Sequence, residues 1–233
     1  MRSAAIFDLD GTLIQGTSAE RLLVPWLVKK GVIGARQLTS AVALAAACPF
    51  IGRTRALRRN KRWLSGVAVD AVTSRLGMFL DEVVTPRWCT GVLARMGELR
   101  ALGHAVFLLS GAPAFIVEAV GARLQADGVV ATPMEVRGDV FTGRLGGTHV
   151  FAAAKLTALR TLAREKDLDL AASWGFADHL SDVPFLEAFG HPVVVSPSRE
   201  LRKVAEERGW EMAGCDRTGR DGEYSSAAPF APR

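Results

Sequence analysis

The chain has 233 residues, 49% of them hydrophobic and 23% charged, enough to bury a substantial core in one domain or in a domain with a smaller insert. No apolar run reaches the about eighteen residues that span a bilayer, and the opening MRSAAIFDLD meets acidic residues too early for a secretory signal. The net charge of +5 is unevenly placed: residues 17–99 hold thirteen Lys/Arg against five Asp/Glu, and the remainder sixteen against nineteen, so the chain reads as two parts with different jobs.

In chain order, AAIFDLD at 4–10 predicts a buried strand stopped by a turn at Gly11. Residues 17–100 lack strand signals and carry Ala, Leu, Arg and Val at helical spacing, which predicts a helical segment. HAVFLLSG at 104–111 is a second buried strand, with Pro113 suited to open a following helix. DGVVATPMEVRGDVFTGRL predicts one strand and then a hairpin around Arg137-Gly138-Asp139. FAAAKLTALRTLAREK reads as a helix, LAASWGFAD as a further buried strand ending at Asp178, and HPVVVSP as another. From Gly214 onward, Gly, Ser, Arg and Pro without periodicity predict a disordered tail, 214–233. Cys48, Cys89 and Cys215 are widely spaced and odd in number, which argues for a reducing, cytoplasmic setting with neither disulfide nor zinc site.

Strands alternating with helices indicate an α/β fold, a Rossmann-like parallel sheet flanked by helices. Ligands of such sheets bind beyond the carboxyl ends of the strands, where this sequence places Asp8, Asp10, Ser110 and Asp178. Side chains two apart on a strand share a face, so Asp8 and Asp10 can both reach over the strand end. One then serves as nucleophile and the other as acid and base; the plain alternative is an Asx turn at a strand end. Gly11 permits a sharp turn and the Thr12 hydroxyl can tether it. Ser110-Gly111 offers a hydroxyl and backbone N–H groups to an anion, or simply caps a helix. Lys155, amid Phe and Ala, either snorkels to water or neutralises charge beside carboxylates. Asp178 and Asp182 add two more carboxylates, and oxygen-only clusters select Mg2+, although Asp182 also suits a helix N-cap.

The ordered set D8-x-D10-G-T, S110-G, K155 and D178-x-x-x-D182 resembles the four motifs of the haloacid dehalogenase superfamily of phosphohydrolases, over residues 4–205. The long helical insertion between the first two motifs, and GDVFTGRL followed by Lys155, are similar to the phosphoserine phosphatase branch. The resemblance implies a catalytic core of residues 1–16 and 101–213 and a helical cap of residues 17–100. It implies Asp8 as nucleophile forming an aspartyl-phosphate, Asp10 as general acid and base, and Ser110, Gly111 and Lys155 holding the phosphoryl group. Mg2+ is then held by Asp8, the Asp10 backbone carbonyl and Asp178, with Asp182 orienting from behind. Two positions depart from the family pattern. His179 follows the metal-binding aspartate where a small or hydroxylic residue is usual, and Thr17, with Glu20 three residues on, stands where phosphoserine phosphatases carry a glutamate that reads the substrate amine.

RTRALRRNKRWL at 53–64 holds six basic residues and no acidic one, and Arg55, Arg58, Arg59 and Arg62 share one helical face. That face is either solvated or attracts an anionic substrate or membrane surface. AVALAAACPFIG and the tryptophans Trp26, Trp63 and Trp88 read as cap core. His104, His149 and His191 receive no role. The expected function is a Mg2+-dependent phosphomonoesterase acting on a small phosphorylated metabolite. The alternatives are a phosphatase of phospholipid or lysophospholipid headgroups at a membrane surface and a non-catalytic phosphate-binding protein on the same fold. Nucleic acid is not an expected partner, since only the basic stripe speaks for it. Nothing in the sequence sets the oligomeric state.

Overall fold

The computed structural model describes residues 1–39 and 61–215. The predicted α/β architecture is present. Six parallel strands form one sheet: β1 (Ala4–Phe7), β2 (Ala105–Pro113), β3 (Gly128–Thr132), β6 (Trp174–Ala177), β7 (His191–Val195) and β8 (Glu211–Ala213), in the spatial order β3-β2-β1-β6-β7-β8. The hairpin β4 (Met134–Arg137) and β5 (Val140–Leu145) turns at the predicted Gly138 and stands as a separate antiparallel pair.

The sheet is covered on both faces, which explains why its central strands read as unbroken apolar runs. Ala5, Phe7, Val106 and Leu108 point to one side, where they pack with α4 (Thr90–Ala101) and α5 (Ala114–Arg123). Ala4, Ile6, Phe107 and Leu109 point to the other, against α6 (Ala153–Lys166), α7 (Val183–Leu186) and α8 (Arg199–Arg208). Both layers are dry: Ile6, Phe7, Phe107 and Phe176 have no solvent exposure.

Between β1 and β2 the described residues form no strand: besides α4 and the helical residues 35–39 they hold α1 (Ala19–Lys29), α2 (Val69–Thr73), α3 (Leu76–Phe79), a π-helical turn Leu80–Val84 and two 3-10 turns. Their apolar side chains, Leu23, Leu27, Trp63, Leu64 and Phe79 among them, continue the first core layer. Trp26 and Trp63 are buried as expected for core, and Trp88 is partly buried. Arg55, Arg58 and Arg59, with Cys48 and the whole of AVALAAACPFIG, lie outside the described residues, as do residues 216–233 of the expected tail. Arg62 opens the separate 3-10 turn Arg62–Leu64, and Lys61, within the same basic stretch, is buried.

Three sequence expectations need correction. The first strand stops at Phe7 and not at Asp10, because Leu9 N donates to the Asp8 carboxylate at 2.8 Å and starts the turn there. The short edge strand β8 was not anticipated; its three residues are too few to show an alternation pattern. Cys89 and Cys215 form a disulfide across 126 residues, contrary to the expectation of none. Spacing could not disclose it, since β8 is what brings Cys215 beside the start of α4, with Gly91 N donating to Cys215 O at 2.8 Å. Among the described residues, no helix is long and apolar enough to cross a membrane.

Candidate active site

The strand order reverses at β1, whose neighbours β2 and β6 connect in opposite directions, and the crevice beyond the carboxyl ends there is where such sheets bind ligands. Asp8 leaves β1 still attached to its neighbour, its N–H donating to Phe176 O at 2.9 Å. Asp178 leaves β6 one residue after Ala177. Carboxylate oxygens of Asp8, Asp178 and Asp182 lie within 4.8 Å of one another.

Lys155 joins them from α6. Its Nζ lies 3.0 Å from Asp8 Oδ2 and 2.9 Å from Asp182 Oδ2, and 4.8 Å above the Phe185 ring. It does not snorkel: its side chain is 3% exposed. Ala152 precedes the helix at φ 52°, a left-handed conformation rare for a residue with a Cβ, and that turn aims the first helical residues back towards β1. Burial works against the ammonium, but Asp8 and Asp182 outweigh it and raise the lysine pKa. Burial likewise raises the Asp8 carboxyl against the pull of Lys155, and Asp182 adds to the rise. Asp178 is pushed up to about 7 by burial, with the charges of Asp8 and Asp182 contributing. Among the described residues one ammonium therefore faces three carboxylates, and the cluster they form is short of positive charge.

Asp10 turns elsewhere. Its Oδ1 accepts the Ala19 N–H at 2.7 Å, at the N-terminus of α1, so strand alternation does not place the two aspartates side by side. Burial raises its pKa to about 7, against the stabilising Ala19 hydrogen bond. Gly11 has φ +80°, and a Cβ there would sit 2.0 Å from Asp178 Oδ2. Glycine thus serves twice, for the turn and for the approach of the acidic residue. Thr12 Oγ1 donates to Asp178 Oδ1 at 3.4 Å, tying the two loops together.

Ser110 is 1% exposed, and its Oγ accepts from Ala112 N at 3.2 Å. Gly111 is held by Thr132, which donates to Gly111 O at 2.9 Å and accepts from Val150 N at 3.1 Å. Sequence reasoning missed Thr132; a lone buried threonine at the end of a strand gives no signal. His179 acts as the cap of the turn Leu180–Asp182: its Nδ1 accepts the Ser181 N–H at 3.1 Å, as a short cap side chain would. Thr17 and Glu20 sit at the entry and first turn of α1, and Glu20 receives Lys61 Nζ and, at 2.8 Å, Trp63 Nε1. Lys61 and Trp63 were also missed as polar partners, because their meeting with Glu20 is tertiary.

Residues 5–187 match the haloacid dehalogenase-like hydrolases. The chain belongs to that family. It is 31% identical over 221 residues to an inhibition of morphological differentiation protein of Streptomyces azureus, covering 91% of this chain and 78% of that one. It is 27% identical over 218 residues to a phosphoserine phosphatase of Mycobacterium tuberculosis, covering 91% and 70%. A crystal structure of a Bordetella pertussis protein of unknown function shares the fold, with a TM-score of 0.77 at 23% identity over 93% of this chain and all of that one. Within the family the chain is a phosphatase-type hydrolase, similar to the phosphoserine phosphatase branch.

Proposed function

We propose that the chain is a Mg2+-dependent phosphomonoesterase that works on a small phosphorylated metabolite through an aspartyl-phosphate on Asp8. The observation that carries this reading is the Asp8, Asp178 and Asp182 cluster around the Lys155 ammonium. An oxygen-only donor set with excess negative charge fits a hard divalent cation. Asp8, Asp178 and the Asp10 carbonyl would hold it, with Asp182 behind. Bound there, the cation would withdraw charge from the phosphoryl oxygens and bring two anions, substrate and Asp8, together.

The chain's own residues supply the remaining steps. Asp8 Oδ attacks phosphorus while Lys155 neutralises the nonbridging oxygens. Ser110 and the backbone N–H of Gly111 cradle the same group at the end of β2. Asp10, with a pKa of about 7, keeps a substantial protonated fraction near neutrality and gives its proton to the leaving alkoxide. Its carboxylate then takes a proton from water, which attacks phosphorus and releases Asp8. Thr17 and Glu20, at the start of α1 where Asp10 accepts the Ala19 N–H, would meet the leaving group. Similarity to a phosphoserine phosphatase favours a compact amino-acid phosphate over a lipid headgroup.

The test is hydrolysis of p-nitrophenyl phosphate with and without Mg2+, followed by a panel holding phosphoserine, sugar phosphates and lysophosphatidate. Turnover that EDTA leaves intact, or that survives Asp8→Asn, would sink the mechanism. Preference for lysophosphatidate presented in vesicles would overturn the small-metabolite reading and favour the membrane-surface alternative.

A further inference from the structure

The passages that lead into and out of the segment between β1 and β2 run side by side. Gln15 N donates to Arg87 O and Cys89 N to Leu13 O, each at 2.9 Å, and Ile14 pairs with Trp88 as an isolated antiparallel bridge. Leu13 and Ile14 in turn donate to Leu9 O, and Gly11 N donates to Ile14 O, inside the loop that carries Asp8 and Asp10. Cys89 is thus one hydrogen bond from the candidate catalytic loop and lies on the outgoing passage.

Its disulfide partner belongs to another part of the fold. Cys215 follows β8, the edge strand, which pairs with β7 alone through three residues. Cys215 O also accepts from Gly91 N at 2.8 Å and Thr90 Oγ1 at 3.2 Å. A Cβ on Gly91 would lie 2.8 Å from Gly214 O, so the two backbones are in close contact. Cys89 is fully buried, whereas Cys215 is partly exposed.

We propose that Cys89–Cys215 is a dithiol-reversible tether that fixes the paired passages to the edge of the sheet, so that its redox state sets how firmly residues 13–15 and 87–89 are held beside the candidate catalytic loop. A thiolate of a dithiol reductant attacks the partly exposed Cys215 Sγ. The S–S bond breaks, and the electron pair leaves on Cys89 Sγ. That sulfur stands at the start of α4, a twelve-residue helix whose positive dipole end favours a thiolate. The reductant's second thiol then attacks its own mixed-disulfide sulfur and releases Cys215. Both protein sulfurs end as thiols, and the reductant ends as a disulfide.

The kinetic arm of the test rests on the proposed phosphatase activity; the other two arms do not. Alkylation in denaturant and peptide mass mapping of the chain as purified under air should leave Cys89 and Cys215 unlabelled, with both labelled only after dithiothreitol. On reduction, amide exchange at Cys89 and Gly91 should quicken by about tenfold or more. KM for p-nitrophenyl phosphate should rise about threefold or more, with kcat changed less. Cys215→Ser should show the reduced values and ignore dithiothreitol. Free Cys89 and Cys215 before reduction, unchanged exchange at the two amides, an unchanged KM, or a Cys215→Ser chain that still responds to dithiothreitol would each overturn the tether. A chain without hydrolytic activity that still passes the labelling and exchange arms would overturn the proposed function and leave the tether standing.

Discussion

Lys155 Nζ lies 3.0 Å from Asp8 Oδ2, and the same ammonium is shared with Asp182 at 2.9 Å. A buried cation divided between two carboxylates cannot be removed without leaving both uncompensated. Lys155→Met should therefore destabilise the metal-free chain by about 3–5 kcal/mol. Adding Asp182→Asn should restore part of that loss, because one orphaned charge disappears. Urea unfolding of the two single variants and the double variant measures the coupling, and additivity within about 0.5 kcal/mol would count against it.

Asp8→Asn should behave oppositely for activity and for stability. Phosphatase turnover should fall by about a thousandfold or more, since the nucleophile is gone. In EDTA, however, the variant should melt above the parent chain, because one of three crowded carboxylates has become neutral. Thermal melts with and without Mg2+ check this. The parent should gain more from the cation than the variant does.

The raised pKa values of Asp10 and Asp178, both about 7 against 3.8 for a free aspartate, fix the sign of a pH effect. Below about pH 3.8 folded and unfolded chains are alike at these two groups. Between there and about 7 the folded chain holds protons that the unfolded chain has released, so rising pH removes stability. The metal-free chain should melt at a higher temperature at pH 5.5 than at pH 8, and Asp10→Asn should flatten the trend. Mg2+ competes with these protons, so its stabilisation should be larger at pH 8. The kcat profile should fall above about pH 7 as Asp10 loses its acid proton.

Gly11→Ala tests the join between the first and last loops. The new Cβ would collide with the Asp178 carboxylate in a backbone conformation at φ +80°. Destabilisation of about 1–3 kcal/mol is expected, with a weaker response of the melting temperature to Mg2+. An alanine variant with parental Mg2+ affinity by calorimetry would show that Asp178 is free to move.

The amino-acid sequence by itself determined the parallel sheet, its main strands and the β4–β5 hairpin. Apolar runs ending in polar turns need burial on both faces. It also singled out Asp8, Asp10, Ser110, Lys155, Asp178 and Asp182, because carboxylates and a lone lysine at strand and helix ends are costly unless they meet. Which of them meet was decided only in three dimensions. Asp10 faces α1 while Asp8 faces Lys155, since β1 ends at Phe7 and the loop, not strand alternation, directs both side chains. Lys61 is buried against Glu20, which Trp63 also holds, although its neighbours in sequence read as a charged surface. Cys89 and Cys215 are bonded because a three-residue edge strand carries one to the other. Local pattern records what each residue needs; the partner that meets the need is supplied by segments dozens of residues away, and chain packing alone selects it.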